Sequence, residues 1–103
     1  MSPIRSQQAT HLFEAILTLR DSEECYHFFE DLCTIKEIED MAQRLAVAEG
    51  LLAGKTFSEI GKETGASSAT ISRVNKCILY GSGGYKTVLN RLTEQQAEKD
   101  EVL

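Results

Sequence analysis

The stretch from Thr56 to Val74 limits the possible folds of this chain more than any other, because it encodes two short helices joined by a tight turn. Thr56 and Glu59 have the spacing of a capping box, in which each side chain satisfies a backbone N–H that the first helical turn leaves unpaired. Gly65 then ends that helix, since glycine enters the left-handed region without a Cβ clash. Ser67 or Ser68 caps the second helix. Two helices in this relation have the form of a helix-turn-helix, which presents its second helix to the major groove of DNA.

Within the unit, Ile60, Ile71 and Val74 fall where apolar side chains pin both helices to a core. Gly61 is expected where the crossing helices leave no room for a side chain. On or near the outward side of the second helix remain Ser67, Ser68, Ala69, Thr70, Ser72, Arg73 and Lys76. Hydroxyls contact base edges or phosphates, small side chains permit close approach, and arginine takes guanine O6/N7 or a phosphate. From the first helix, Ser58 and Lys62 are expected to touch phosphates. Few long side chains lie between Ser67 and Ser72, so water and DNA shape are expected to share in the readout. The competing reading is an ordinary helical hairpin whose Ser/Thr-rich face is merely solvated.

Charge separates these readings. The chain carries net −5, the wrong sign for a DNA binder. Its distribution is uneven: residues 1–54 carry net −6, residues 55–91 net +4 and residues 92–103 net −3. The basic share, Lys55, Lys62, Arg73, Lys76, Lys86 and Arg91, coincides with the motif and the segment C-terminal to it. The acidic remainder weakens non-specific binding.

With 103 residues there is room for one domain and none for a separate sensor domain of ordinary size. No apolar run is long enough to span a membrane, and the first residues lack the order of a secretory signal, so the expected location is the cytoplasm. Cys25, Cys33 and Cys77 form no C-x-x-C or Cys/His cluster. Neither a disulfide framework nor a metal site is therefore expected, and the thiols are read as reduced and partly or wholly in the core. Cys77, just after the motif, is also a candidate redox-sensitive position.

Met1 to about Gln7 has little pattern and is expected to be a mobile arm. Thr10 to Leu19 carries apolar residues at helical spacing. Ser22 is expected to cap a second helix that buries Cys25, Phe28, Phe29 and Leu32 on one face. Thr34 and Glu37 make another capping box, opening a long helix that runs to a stop at Gly54. Gly50 inside it costs about 1 kcal/mol relative to alanine, which suggests close packing of another helix there. Tyr80-Gly-Ser-Gly-Gly84 is a break, after which Tyr85, Val88, Leu89 and Leu92 begin a last helix whose tail, residues 94–103, is expected to be mobile. The sum is an all-α chain of six helices with more apolar faces than one protomer covers, so a homodimer is expected. A dimer also sets two recognition helices about 34 Å apart along a duplex.

From Thr34 to Leu79 the residues resemble the helix-turn-helix core of the Trp repressor superfamily, most closely its YerC/YecD branch. The matching features are Thr34 opening the long helix, Arg44 within it, Leu51-Leu-Ala-Gly54 closing it, Glu63-Thr-Gly-Ala66, and Ala69-Thr-Ile-Ser-Arg73. The resemblance implies an intertwined homodimer with six helices per subunit, acting as a bacterial transcriptional repressor. It also implies an effector pocket between the long helix and the recognition helix, where two arginines flank the tryptophan indole. Arg44 and Arg73 match those arginines, and Thr34 matches a residue lining the site. Val74 stands where the family's repressor has glycine, and Cys77 where it has serine near the ligand's amino group. A branched side chain at Val74 fills such a pocket with protein, so tryptophan is not the expected effector; any small-molecule corepressor would be a different one.

No Ser/His/Asp or Cys/His constellation, paired carboxylates or phosphate loop can be assembled, so an enzyme is not expected. Gly81-Ser-Gly-Gly84 follows no strand and lacks a Lys-Ser/Thr successor, which makes it a linker. The alternative to a DNA reader is a protein-interaction module whose helix-turn-helix face binds a transcription or replication partner.

Overall fold

The computed structural model describes residues 4–101. They form six helices: α1 (Gln7–Ile16), α2 (Ser22–Leu32), α3 (Ile35–Leu52), α4 (Phe57–Thr64), α5 (Ser68–Tyr80) and α6 (Gly84–Glu101). No strand occurs among the described residues. The chain divides into two compact units that meet in sequence between Ile38 and Glu39. Of the ends expected to be mobile, residues 1–3 and 102–103 lie outside the described residues.

In the first unit, α1 starts and ends three residues earlier than its apolar period suggests. Ser6 caps it, accepting from the Ala9 N–H at 3.0 Å, so the polar pair Gln7 and Gln8 is drawn into the helix. Asp21, and not Ser22, caps α2, accepting from the Glu24 N–H at 2.9 Å. Glu24 in turn accepts from the Arg20 N–H at 2.9 Å. The expected burial on α2 is not found: Cys25, Phe28 and Phe29 are half-buried, Leu32 is exposed, and neither α1 nor α2 buries a residue fully. Phe28 and Phe29 meet edge to face, with ring centroids 5.7 Å apart. Thr34 and Glu37 form the expected box, Thr34 N–H donating to Glu37 at 2.8 Å and Glu37 N–H to Thr34 Oγ1 at 3.1 Å. Those hydrogen bonds from Thr34, the backbone one first, hold the Glu37 carboxyl below its ordinary pKa.

The second unit is built around a core of Val47, Ala48, Ile60, Ala66, Ile71, Val74 and Leu89. Leu45, Leu51, Ile78 and Tyr85 pack on its margin. Gly54 stops α3 at φ 80°, and its N–H reaches Leu51 O at 3.1 Å while Lys55 N–H reaches Gly50 O at 3.0 Å. This is the paired bonding of a Schellman end. Gly50 inside α3 has a packing reason: a Cβ there would lie 2.8 Å from Ile60 Cγ1, so the Ile60 side chain of α4 takes the space a side chain at Gly50 would need. Gly61 differs from expectation. A Cβ at Gly61 would meet Ala66 O at 3.7 Å and Ile71 Cδ1 at 3.9 Å, ordinary contacts that leave room for a side chain.

Candidate nucleic-acid interface

The α4–turn–α5 unit is set by short-range hydrogen bonds encoded in the sequence. Thr56 N–H donates to Glu59 at 3.0 Å and Glu59 N–H to Thr56 Oγ1 at 3.1 Å, closing the capping box at the start of α4. Gly65 ends the helix at φ 73°, its N–H bonded to Gly61 O at 2.9 Å. Two residues missed by the sequence reading then hold the turn. Thr64 Oγ1 donates to Ile60 O at 2.7 Å and accepts from Ala66 N–H at 3.1 Å, so one hydroxyl bridges the end of α4 and the turn. Gln43 Nε2, from α3, donates to Thr64 O at 3.2 Å. A threonine in the last turn of a helix is a readable signal, since its hydroxyl bonds back to the i−4 carbonyl. Gln43 has no local signal, because its partner is far along the chain.

Ser67 is the N-cap of α5, accepting from Thr70 N–H at 3.2 Å and donating its own proton to Thr70 Oγ1 at 3.2 Å. Both hydroxyls are thus engaged in the cap, and Thr70 is half-buried. On the inner face of α5, Ile71 is 2% and Val74 1% exposed. On the outer face Ser68, Ala69, Ser72, Arg73 and Lys76 are all exposed, and the last four line one shallow cleft. Arg73 and Lys76 have no ion-pair partner among the described residues. Ser58 and Lys62 are exposed on α4. Lys55 is engaged elsewhere: it donates to Glu63 at 2.7 Å, and that hydrogen bond and charge raise its pKa above the ordinary lysine value.

The five residues that match an effector pocket have unlike settings. Thr34 commits its hydroxyl to the α3 cap, and Arg44 is half-buried. Arg73 opens on the α5 cleft, whereas Cys77 opens on a groove lined also by Leu45, Tyr85 and Val88. Val74 is part of the core itself. All three thiols are free; Cys77 is exposed and so departs from the expected core position, since the helix turn that buries Val74 leaves Cys77 beside the glycine break. Among the described residues no group of three or more His, Cys, Asp or Glu could hold a metal ion, and no helix is long and apolar enough to cross a membrane.

Known proteins share this architecture. The sequence profile of the Trp repressor protein family matches residues 7–93. YerC of Bacillus subtilis (strain 168) is 52% identical over 95 residues, covering 92% of this chain and 91% of that protein. A TrpR-like protein from Eubacterium eligens ATCC 27750, known from its crystal structure, superposes with a TM-score of 0.85 at 49% identity, covering 87% of this chain and 93% of its own. A second solved structure, from Staphylococcus aureus, gives a TM-score of 0.85 at 47% identity, covering 87% and 90%. With a capped helix-turn-helix, a six-helix order and similarity across nearly its whole length, the chain belongs to the Trp repressor family, in its YerC-like branch.

Proposed function

We propose that this protein is a sequence-specific DNA-binding regulator of transcription that acts as a homodimeric repressor in the cytoplasm. The observation that carries the reading is the two-faced α5. Its inner face is closed into the core through Ile71 and Val74, and its outer face offers small side chains with two cations, Arg73 and Lys76, that are unpaired among the described residues. Such a helix enters the major groove with its small residues while Lys76, and Ser58 and Lys62 on α4, meet phosphates. The net +4 of residues 55–91 supports the same placement within an otherwise acidic chain.

Dimerisation accounts for the helices that lack cover. Neither α1 nor α2 buries a residue, yet Leu17 is 82% and Tyr26 66% exposed, with Phe13 and Leu32 also exposed. An interface with a second copy removes such surface from water, and the intertwined dimer implied by the family does so with these helices.

In this reading DNA binding needs no tryptophan. Val74 and Ile71 hold α5 on the core, which leaves the role of a corepressor to protein atoms. The chain acts without a cofactor and without catalysis.

Selection from a random double-stranded DNA pool, with and without L-tryptophan, tests the proposal. A palindrome with half-sites about one helical turn apart, enriched equally in both arms, is the expected result. Enrichment only with tryptophan overturns effector independence. Failure to enrich any duplex in either arm overturns effector-independent DNA reading and favours an unidentified corepressor or a protein partner for the same face.

A further inference from the structure

The face of α5 that opens outward has a chemistry specific enough to name bases. Ala69, Ser72, Arg73 and Lys76 line one cleft, as the helical period requires of positions i, i+3, i+4 and i+7. Ala69 is the apolar member of that set and is exposed. A polar base edge pressed against its methyl group would lose water and gain no hydrogen bond. The base feature in the major groove that suits it is the C5-methyl of thymine.

Arg73 lies one helical turn further along, about 6 Å of rise from Ala69. Base pairs stack every ~3.4 Å, and a helix lying along the groove runs obliquely to that stack, so the two side chains address positions about one to two base pairs apart. The guanidinium has no partner among the described residues, and its neighbours in the cleft, Ala69 and Ser72, are small enough to let the floor of the groove approach. Its rigid fork then matches guanine O6 and N7. Lys76 is about 10 Å from Ala69 along the axis and leaves the base edges for the backbone. Ser67 contributes less to base choice, since its hydroxyl donates to Thr70 Oγ1 and accepts from Thr70 N–H in the N-cap, and Thr70 is half-buried.

We propose that the Ala69/Arg73 pair makes α5 a reader of a thymine methyl and a guanine about one to two base pairs apart in each half-site. The inference rests on the DNA-reading function proposed above and specifies the partner at that site.

The test begins from a duplex enriched from the random pool. The same duplex is resynthesised with deoxyuridine replacing one thymidine at a time, and separately with 7-deazaguanine replacing one guanine at a time. Wild-type protein is expected to lose about fourfold in affinity on removal of a single thymine methyl. It is expected to lose about tenfold when N7 of one guanine, about one to two base pairs away, is removed. Ala69→Gly narrows the thymine-to-uracil difference to less than twofold, and Ala69→Ser, which keeps a side chain on the helix, does the same. Arg73→Ala no longer distinguishes guanine from 7-deazaguanine. Equal binding of thymine and uracil duplexes, or indifference of the wild type to 7-deazaguanine, overturns this assignment and leaves DNA binding standing. An Arg73→Ala variant that weakens binding but still senses N7 makes Arg73 a phosphate contact, which also overturns it. A pool from which nothing is enriched fails the proposed function itself.

Discussion

Gly50 and Ile60 stand so close that a single added Cβ at Gly50 would lie 2.8 Å from Ile60 Cγ1 and 3.3 Å from Ile60 Cδ1. Ile60 is 0% exposed, so it has nowhere to withdraw. Through this contact α3 fixes α4, and with it the turn that presents α5. Gly50→Ala gains about 1 kcal/mol of helix propensity. Overpacking costs typically 1–3 kcal/mol, and here the displaced side chain is enclosed, so the balance is unfavourable. The expected outcome is a lower melting temperature, with DNA affinity falling more than stability alone accounts for.

Thr64 is the hinge pin of the turn. Thr64→Val keeps the shape but removes the hydroxyl that donates to Ile60 O and accepts from Ala66 N–H. Leaving the Ala66 N–H without that partner costs about 1–2 kcal/mol. Hydrogen exchange should show faster exchange at Ala66 while the amides of α3 are little changed.

Much of this arrangement was legible in the sequence, because its signals are local. Thr34/Glu37 and Thr56/Glu59 are three residues apart and declare their caps, and Gly54 and Gly65 declare the stops by the conformation they take. The inward positions Ile60, Ile71 and Val74 followed from helical period. What escaped was decided by neighbours of equal merit or by distant ones. Asp21 and Ser22 are both good N-caps, and the chain uses the aspartate. Ser6 begins α1 before any apolar residue marks it. Gln43 reaches Thr64 across 21 positions, a contact no local pattern announces. Gly61 looks like a crossing point by spacing, but a Cβ is accommodated there and is not at Gly50. On the outer face of α5, the sequence grouped Ser67 and Thr70 with the contact residues, whereas their hydroxyls are bonded to each other.

Val74 is part of the core that holds α5. It is enclosed with Val47, Ala48, Ile60, Ile71 and Leu89, so Val74→Ala should cost about 1–3 kcal/mol of unfolding free energy. On the proposal that the Val74 side chain takes the place of a corepressor, the wild type should give no saturable heat signal with L-tryptophan in calorimetry. A micromolar isotherm would sink the plug.

Glu37 gives α3 a dependence on acid. Hydrogen bonds from Thr34 lower its pKa in the folded state below the ordinary 4.5. The stabilisation is therefore complete above that value and is lost as pH falls through the lowered folded pKa. Glu37→Ala should melt below the wild type at neutral pH, and the gap should close as the pH drops under about 4.5, with the wild type moving. Thermal melts of both proteins across that range check the sign.

Binding of a DNA backbone by the outer face of α4 and α5 should be visible in the salt dependence of affinity for an enriched duplex. Lys62 and Lys76 are exposed and unpaired among the described residues, whereas Lys55 is held by Glu63. Two phosphate contacts per subunit in a dimer predict a slope of log K against log salt of about −3.6, a loss of roughly a hundredfold between 50 and 200 mM. Lys76→Ala removes one contact from each subunit and should reduce the slope by about two. An affinity that ignores salt, or a slope that Lys62→Ala and Lys76→Ala leave unchanged, would rule out this face as the DNA-binding surface.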